Sequence, residues 1–234
     1  MLIKRRQVLE FLGGSAAVTL VGGLGKPFTS ANSGIITPAC VVRPQQTEGP
    51  YFVDEKLQRS DIRSDPSDGS VKPGVPLQLI FQVSQVSAGL CRPLAGAAVD
   101  VWHCDALGVY SDVSDRNFNT IGQKFLRGYQ VTDANGRVEF LTLYPGWYPG
   151  RTVHIHFKIR TNASPSYEFT SQLYFDDALS DRLHAQPPYA AQRQRRQRNN
   201  QDGIFRRGGE QLMLSLTPQG EGYRGIFDIG LQMT

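Results

Sequence analysis

Histidine and cysteine are scarce here: 234 residues carry four of the first and three of the second. No two of Cys40, Cys91 and Cys104 have the spacing of a zinc-site pair, so a cysteine-built zinc site is excluded. The chain has no internal repeat and no convincing second domain. Beyond the N-terminal segment it shows no sustained helical periodicity, which argues against an all-α or alternating α/β fold. A strong excess of charge is missing too. The formal net charge is +4, but Lys4, Arg5, Arg6 and Lys26 stand in the first thirty residues against Glu10 alone. The rest of the chain is close to neutral, which leaves no electrostatic case for nucleic acid as a partner.

The N-terminus reads as an address. Lys4-Arg5-Arg6-Gln7-Val8-Leu9 is a twin-arginine pattern. The weakly apolar, Gly-rich run Phe11 to Gly25 follows it and falls short of the roughly 20 residues that a membrane span needs. Residues 1–30 therefore read as a signal segment, with an amphipathic or frayed terminus as the alternative. This places the protein outside the cytoplasm, periplasmic or extracellular, with no membrane span once the signal is removed. Three cysteines in an exported chain suit one disulfide and one free thiol, and the pairing stays open. Cys40 after Thr37-Pro38-Ala39 also admits a lipid-anchored reading, which the preceding residues fit poorly.

From there the pattern is β. Residues 31–76 form an extended N-terminal arm and a turn-rich loop. A catalytic domain is expected over 77–234. Leu77, Leu79, Phe81 and Val83 alternate with Gln78, Ile80 and Gln82. Val99, Val101 and His103 share one side of Ala97 to His103. Gly128 to Thr132 and Arg137 to Leu143 flank Asp133-Ala134-Asn135-Gly136, a strong hairpin signal. Val153 to Arg160, Phe169 to Phe175 and Gly225 to Leu231 are further strands, and 176–198 holds a short helix or a long loop. Many short strands with Gly and Pro turns give an all-β fold, a β-sandwich core with long loops and an extended N-terminal arm. The basic run Arg193 to Arg198, with Arg206 and Arg207, is either a solvated loop or an attractor for a carboxylate-bearing substrate.

Thr152-Val153-His154-Ile155-His156-Phe157-Lys158-Ile159 carries the sharpest chemical signal. Strand side chains alternate faces, so Val153, Ile155, Phe157 and Ile159 point into the core and His154 and His156 point together the other way. Two imidazoles at that spacing can hold one metal ion, but catalytic metals usually have at least three protein ligands. His103 lies on the apolar side of its strand as a structural histidine, and His184 falls in a loop, exposed. Asp100, Asp105 or Asp112 would have to approach in space to complete a two-histidine, one-carboxylate site. The other candidate is Tyr148 in Tyr144-Pro145-Gly146-Trp147-Tyr148-Pro149-Gly150-Arg151, where two Pro-Gly steps fix a turn just before the histidines. A phenolate is a hard anionic donor suited to iron(III), but the same aromatics would serve equally as core or rim. Spacing alone does not choose.

Residues 40–234 resemble the intradiol ring-cleavage dioxygenases, the family of protocatechuate 3,4-dioxygenase and catechol 1,2-dioxygenase, in their exported single-chain branch. The likeness lies in Gln46-Thr47-Glu48-Gly49-Pro50-Tyr51-Phe52, in Val99 to Ser111 (VDVWHCDALGVYS), in Tyr144 to Phe157, and in Ser171-Gln172-Leu173-Tyr174-Phe175. It implies Fe(3+) held by Tyr110, Tyr148, His154 and His156, with Tyr110 and His156 equatorial and Tyr148 and His154 axial. Arg151, Tyr148 and Gln172 would act at the catalytic site, and Gly49, Pro50 and Tyr51 would line the substrate pocket. The implied partners are a catechol and O2, and the implied reaction splits the ring between its two hydroxyl-bearing carbons to give a cis,cis-muconate-type diacid. Two rival readings are a copper or iron(II) enzyme using the histidines with a carboxylate, and a non-enzymatic β-sandwich that binds sugar or a surface partner.

Overall fold

The computed structural model describes residues 40–162, 166–192 and 197–233. The signal segment 1–30, the start of the arm, and Arg193, Arg195 and Arg196 of the basic run lie outside the described residues. The elements in chain order are β1 (Pro76–Ser87), β2 (Leu90–Pro93), β3 (Ala98–Trp102), β4 (Arg127–Val131), β5 (Arg137–Leu143), β6 (His154–Arg160), β7 (Glu168–Tyr174), α1 (Asp177–His184), β8 (Leu216–Gln219) and β9 (Gly222–Gln232). One sheet has the order β2-β1-β9-β8, with β5 also on β1; the other runs β4-β3-β6-β7. β1 is long enough to pair antiparallel with β5 through Pro76–Gln82 and with β2 through Ser84–Ser87, while β9 runs parallel along its other edge.

The all-β sandwich is therefore realised. Leu77, Leu79, Phe81 and Val83 face the core between the sheets together with Val99, Val101, Ile155, Phe157, Ile159, Phe227 and Ile229. The Phe157 ring sits 5.1 Å from Phe81 and 5.6 Å from Phe227, which locks one sheet against the other. Each such fully buried side chain contributes roughly 1.5–3 kcal/mol. Ile80, expected on the polar side of β1, is also fully buried.

The hairpin expected at Asp133–Gly136 is a corner instead. The turn itself forms: the Gly136 amide donates to Asp133 O (2.9 Å), and the Asp133 carboxylate accepts from the Asn135 and Arg137 amides. Gly136 takes φ +75°, and a Cβ there would lie 2.1 Å from Val83 O. The flanking strands then part, β4 pairing with β3 and β5 with β1 in the opposite sheet. A tight Asn-Gly turn reverses the chain in either case, and the partner of each strand is decided by the core.

The arm runs over the edges of both sheets. Val42 bridges to Gly230, Arg43 Nε donates to Asp228 O (3.0 Å), and the Gln46 amide donates to Thr170 O (3.0 Å). Its first described residue, Cys40, is tied by a disulfide to Cys91 of β2, leaving Cys104 as a buried free thiol. The lipid-anchored reading of Cys40 is thereby overturned, since its sulfur is already bonded. Among the described residues no helix is long and apolar enough to cross a membrane.

Candidate metal centre

β6 behaves as its alternation dictates. Ile155, Phe157 and Ile159 fill the core, and His154, His156 and Lys158 share the opposite face. That face is covered as well, with His154 2 % and His156 1 % exposed. In register on either side of His156 stand Trp102 of β3 and Gln172 of β7. The Trp102 ring stacks on the imidazole at 5.0 Å and 10°. From above, the arm presses Gly49 onto His156: a Cβ there would sit 3.3 Å from Cε1, and φ is +73°.

Donor atoms converge on this face. His154 Nε2 lies 3.0 Å from His156 Nε2 and 3.2 Å from the Tyr148 hydroxyl. His154 Nδ1 is 2.6 Å from Thr152 O; a carbonyl only accepts, so Nδ1 carries the hydrogen and Nε2 offers its lone pair. Tyr110 reaches the cluster from the loop after β3. Its ring is 5.8 Å from that of Tyr148 and 6.3 Å from His156, and its hydroxyl is buried without a hydrogen-bond partner. Burial, helped by the nearby Arg151 charge, pushes His154 down to about 3. Burial, with the neighbouring His154, holds His156 well below its ordinary value. Both imidazoles are neutral at pH 7, the form that binds metal. Burial drives Tyr110 well up and Tyr148 up to about 12, a preference that a highly charged cation beside the phenols inverts. Two neutral imidazoles and two phenols, one with nothing to bond to, fit a hard trivalent ion.

Carboxylates do not reach the cluster. Among the described residues no three His, Cys, Asp or Glu side chains converge. Asp100 accepts from Arg160 Nε (3.0 Å) and Nη2 (2.8 Å). Asp105 accepts from the Leu107 and Val109 amides, and Asp112 from that of Gly122. The site with a carboxylate ligand is thus not the one this fold builds.

The family model described as "Dioxygenase" matches residues 47–198. An intradiol ring-cleavage dioxygenase from Tetranychus urticae is 33% identical and superimposes with a TM-score of 0.70 over 82% of this chain and 95% of that one. The chain belongs to the intradiol ring-cleavage dioxygenase family. The dioxygenase domain of a carbohydrate-binding fusion protein from Streptomyces sp. SirexAA-E is 30% identical, with a TM-score of 0.59 over 83% of this chain and all of that domain. Among curated relatives, the protocatechuate 3,4-dioxygenase beta chain of Burkholderia cepacia is 33% identical over 47% of this chain and 51% of its own length. A chlorocatechol 1,2-dioxygenase of Pseudomonas putida is 32% identical over 55% and 52%. The chain thus spans about half the length of the curated relatives it matches.

The remaining residues expected from the likeness to intradiol dioxygenases gather round the same cluster. Arg151 Nη1 lies 3.4 Å from His154 Nε2, and its Nη2 donates to Gln172 Oε1 (2.5 Å). Gln172 is fully buried and donates to Thr47 O of the arm (2.8 Å). Tyr51 stacks on Tyr110 at 4.5 Å, meets Tyr148 edge-on at 6.1 Å, and donates to Asp115 (2.8 Å). Pro50 is exposed at the turn between Gly49 and Tyr51. His103 is structural as expected, 2.7 Å from Thr142 Oγ1 and 2.8 Å from Cys104 O. His184 corrects the expectation of an exposed loop residue: it ends α1, stacks on Tyr189 at 5.1 Å and bonds Pro145 O at 3.0 Å. Sequence reasoning missed Asp202, whose carboxylate meets Arg151 at 2.8 Å. It stands 51 residues further on, in no motif that would announce it.

Proposed function

We propose that this protein is a non-haem Fe(III) dioxygenase that opens catechol rings with O2 between the two hydroxyl-bearing carbons, giving cis,cis-muconate-type diacids. The observation that carries this reading is the convergence of His154 Nε2, His156 Nε2 and the Tyr148 hydroxyl beside the unpartnered hydroxyl of Tyr110. Tyr110, Tyr148, His154 and His156 would hold the iron. When bound, Fe(III) supplies a Lewis acid that draws electron density from a catechol and makes its ring reactive toward O2.

The chain's own groups supply the rest. Tyr148 is only partly buried, whereas Tyr110 is 0 % exposed. Tyr148 is thus the phenol that an incoming catechol meets, and its oxygen can take up a proton that the catechol must lose. Arg151 is always cationic, and its Nη1 faces the cluster, where it stabilises anionic charge developing on the ring. Gly49 gives the arm its close approach to His156, and the rings of Tyr51 and Tyr148, set edge-on, form an apolar wall suited to an aromatic substrate. Export through the twin-arginine-type segment belongs to the same reading, supported by the Cys40–Cys91 disulfide, which suits an oxidising compartment.

The test is the visible spectrum of the iron-loaded protein before and after anaerobic addition of catechol. Phenolate on iron(III) gives an intense charge-transfer colour, which catechol should shift to longer wavelength and which Tyr110→Phe with Tyr148→Phe should abolish. A protein that stays colourless after iron is supplied, and yields no ring-opened diacid with O2, sinks the proposal.

A further inference from the structure

We propose that Asp202 is the positioning residue of Arg151, deciding which edge of the guanidinium faces the catechol; the inference rests on the function proposed above. Asp202 is 1 % exposed, and both its oxygens are fully engaged. Oδ2 accepts from Arg151 Nε (2.8 Å) and from the Thr152 amide (2.9 Å). Oδ1 accepts from the amides of Ile204 (2.7 Å) and Phe205 (3.1 Å). Four N–H donors leave the carboxylate no freedom to turn, so it is a fixed point to which Arg151 is tied. Gln172 Oε1 holds the Nη2 end from β7 at 2.5 Å, and Gln172 is itself held by Thr47 O of the arm and by the Tyr174 hydroxyl (3.1 Å).

The guanidinium is thus gripped at Nε and Nη2 by groups from two separate elements, and Nη1 is the end that turns to His154 Nε2. An unclamped arginine samples many rotamers, and its planar fork recognises best when pre-organised. Asp202 is suited to the task because it stays ionised: burial opposes its charge, but the Thr152 amide and Arg151 outweigh it and hold its pKa below the ordinary carboxylate value. The two oxygens divide their work. Oδ1 closes the turn at 202–205, and Oδ2 reaches the site. Asp202→Asn separates them, since the amide oxygen can still close the turn while its NH2 can accept nothing from Arg151 or Thr152.

The expected result is a fall of roughly 10- to 100-fold in kcat/KM for Asp202→Asn, the range typical of partners that orient site groups, with iron content unchanged. In an Arg151→Ala background the same substitution should cost nothing further. Equal losses in both backgrounds would show that Asp202 only supports the turn and would overturn the inference. A second measurement needs no variant and no turnover. In ¹⁵N-labelled protein loaded with diamagnetic gallium(III), the Arg151 Nε–H should exchange with solvent far more slowly than surface arginines. Exchange at the surface rate overturns the inference even if Asp202→Asn fails to fold. If wild-type protein opens no catechol, the functional reading fails, while this exchange rate still decides whether Asp202 orients Arg151.

Discussion

The Tyr110 hydroxyl is buried with no hydrogen-bond partner, and a polar group left so costs roughly 1–3 kcal/mol. Tyr110→Phe should therefore stabilise the metal-free protein, by about 1 kcal/mol in urea unfolding, while weakening iron binding in equilibrium dialysis. A variant that loses metal-free stability and keeps its iron would show that the hydroxyl serves packing instead. Gly49 is the second decisive position. Its φ is +73°, and a Cβ added there would stand only 3.3 Å from His156 Cε1. Gly49→Ala is therefore costly, since left-handed backbone costs an L-residue about 1–2 kcal/mol. The arm should lift and catechol affinity should fall in anaerobic titration; unaltered affinity would mean that the arm is not a pocket wall. At this scale the sequence is most informative where geometry is local. The alternation of β6 alone puts His154 and His156 on one face, and motif likeness adds Tyr110 and Tyr148. Asp202 is illegible there because the fold, not any spacing, brings it to Arg151.

Strand identity follows from alternation where strands are long and one face fills the core, as in β1, β5 and β6. β2 and β8 escape it because each has four residues and ends or turns on a proline, Pro93 and Pro218, which belongs on the sheet edges both occupy. The corner at Asp133–Gly136 reads as a hairpin because turn chemistry reports a chain reversal and not which sheet receives the next strand. The segment after the Asn199–Gln201 turn makes the element-scale prediction. Asp202 titrates below an unfolded aspartate, which lies near 3.9, so its ion pair with Arg151 stabilises the protein above that pH and is lost as pH falls through the depressed native value. Urea unfolding of wild type followed below about pH 4 should therefore lose stability with falling pH more steeply than Asp202→Asn. Parallel slopes would mean that the carboxylate gains nothing from its partners.

At the scale of the whole molecule, the arm joins parts that the sandwich alone leaves separate. From the disulfide on β2 it bonds to β9 and β7, covers His156 with Gly49, and stacks Tyr51 on Tyr110. The disulfide closes a separation of 51 residues, and a cross-link of that reach stabilises by roughly 2–4 kcal/mol, mainly by restricting the unfolded chain. Cys40→Ala with Cys91→Ala should lower unfolding stability by about that amount, and reductant should do the same to wild type but nothing to the double variant. Cys104 offers the internal control: it is buried and burial pushes its thiol pKa up, so native protein should take up no thiol reagent there before unfolding. Because the arm makes its own hydrogen bonds to β7 and β9, the two effects should separate. Reduction should cost global stability in full yet leave catechol affinity within a few fold. A collapse of affinity on reduction, with stability unchanged, would instead make the disulfide the anchor that seats the arm on the site.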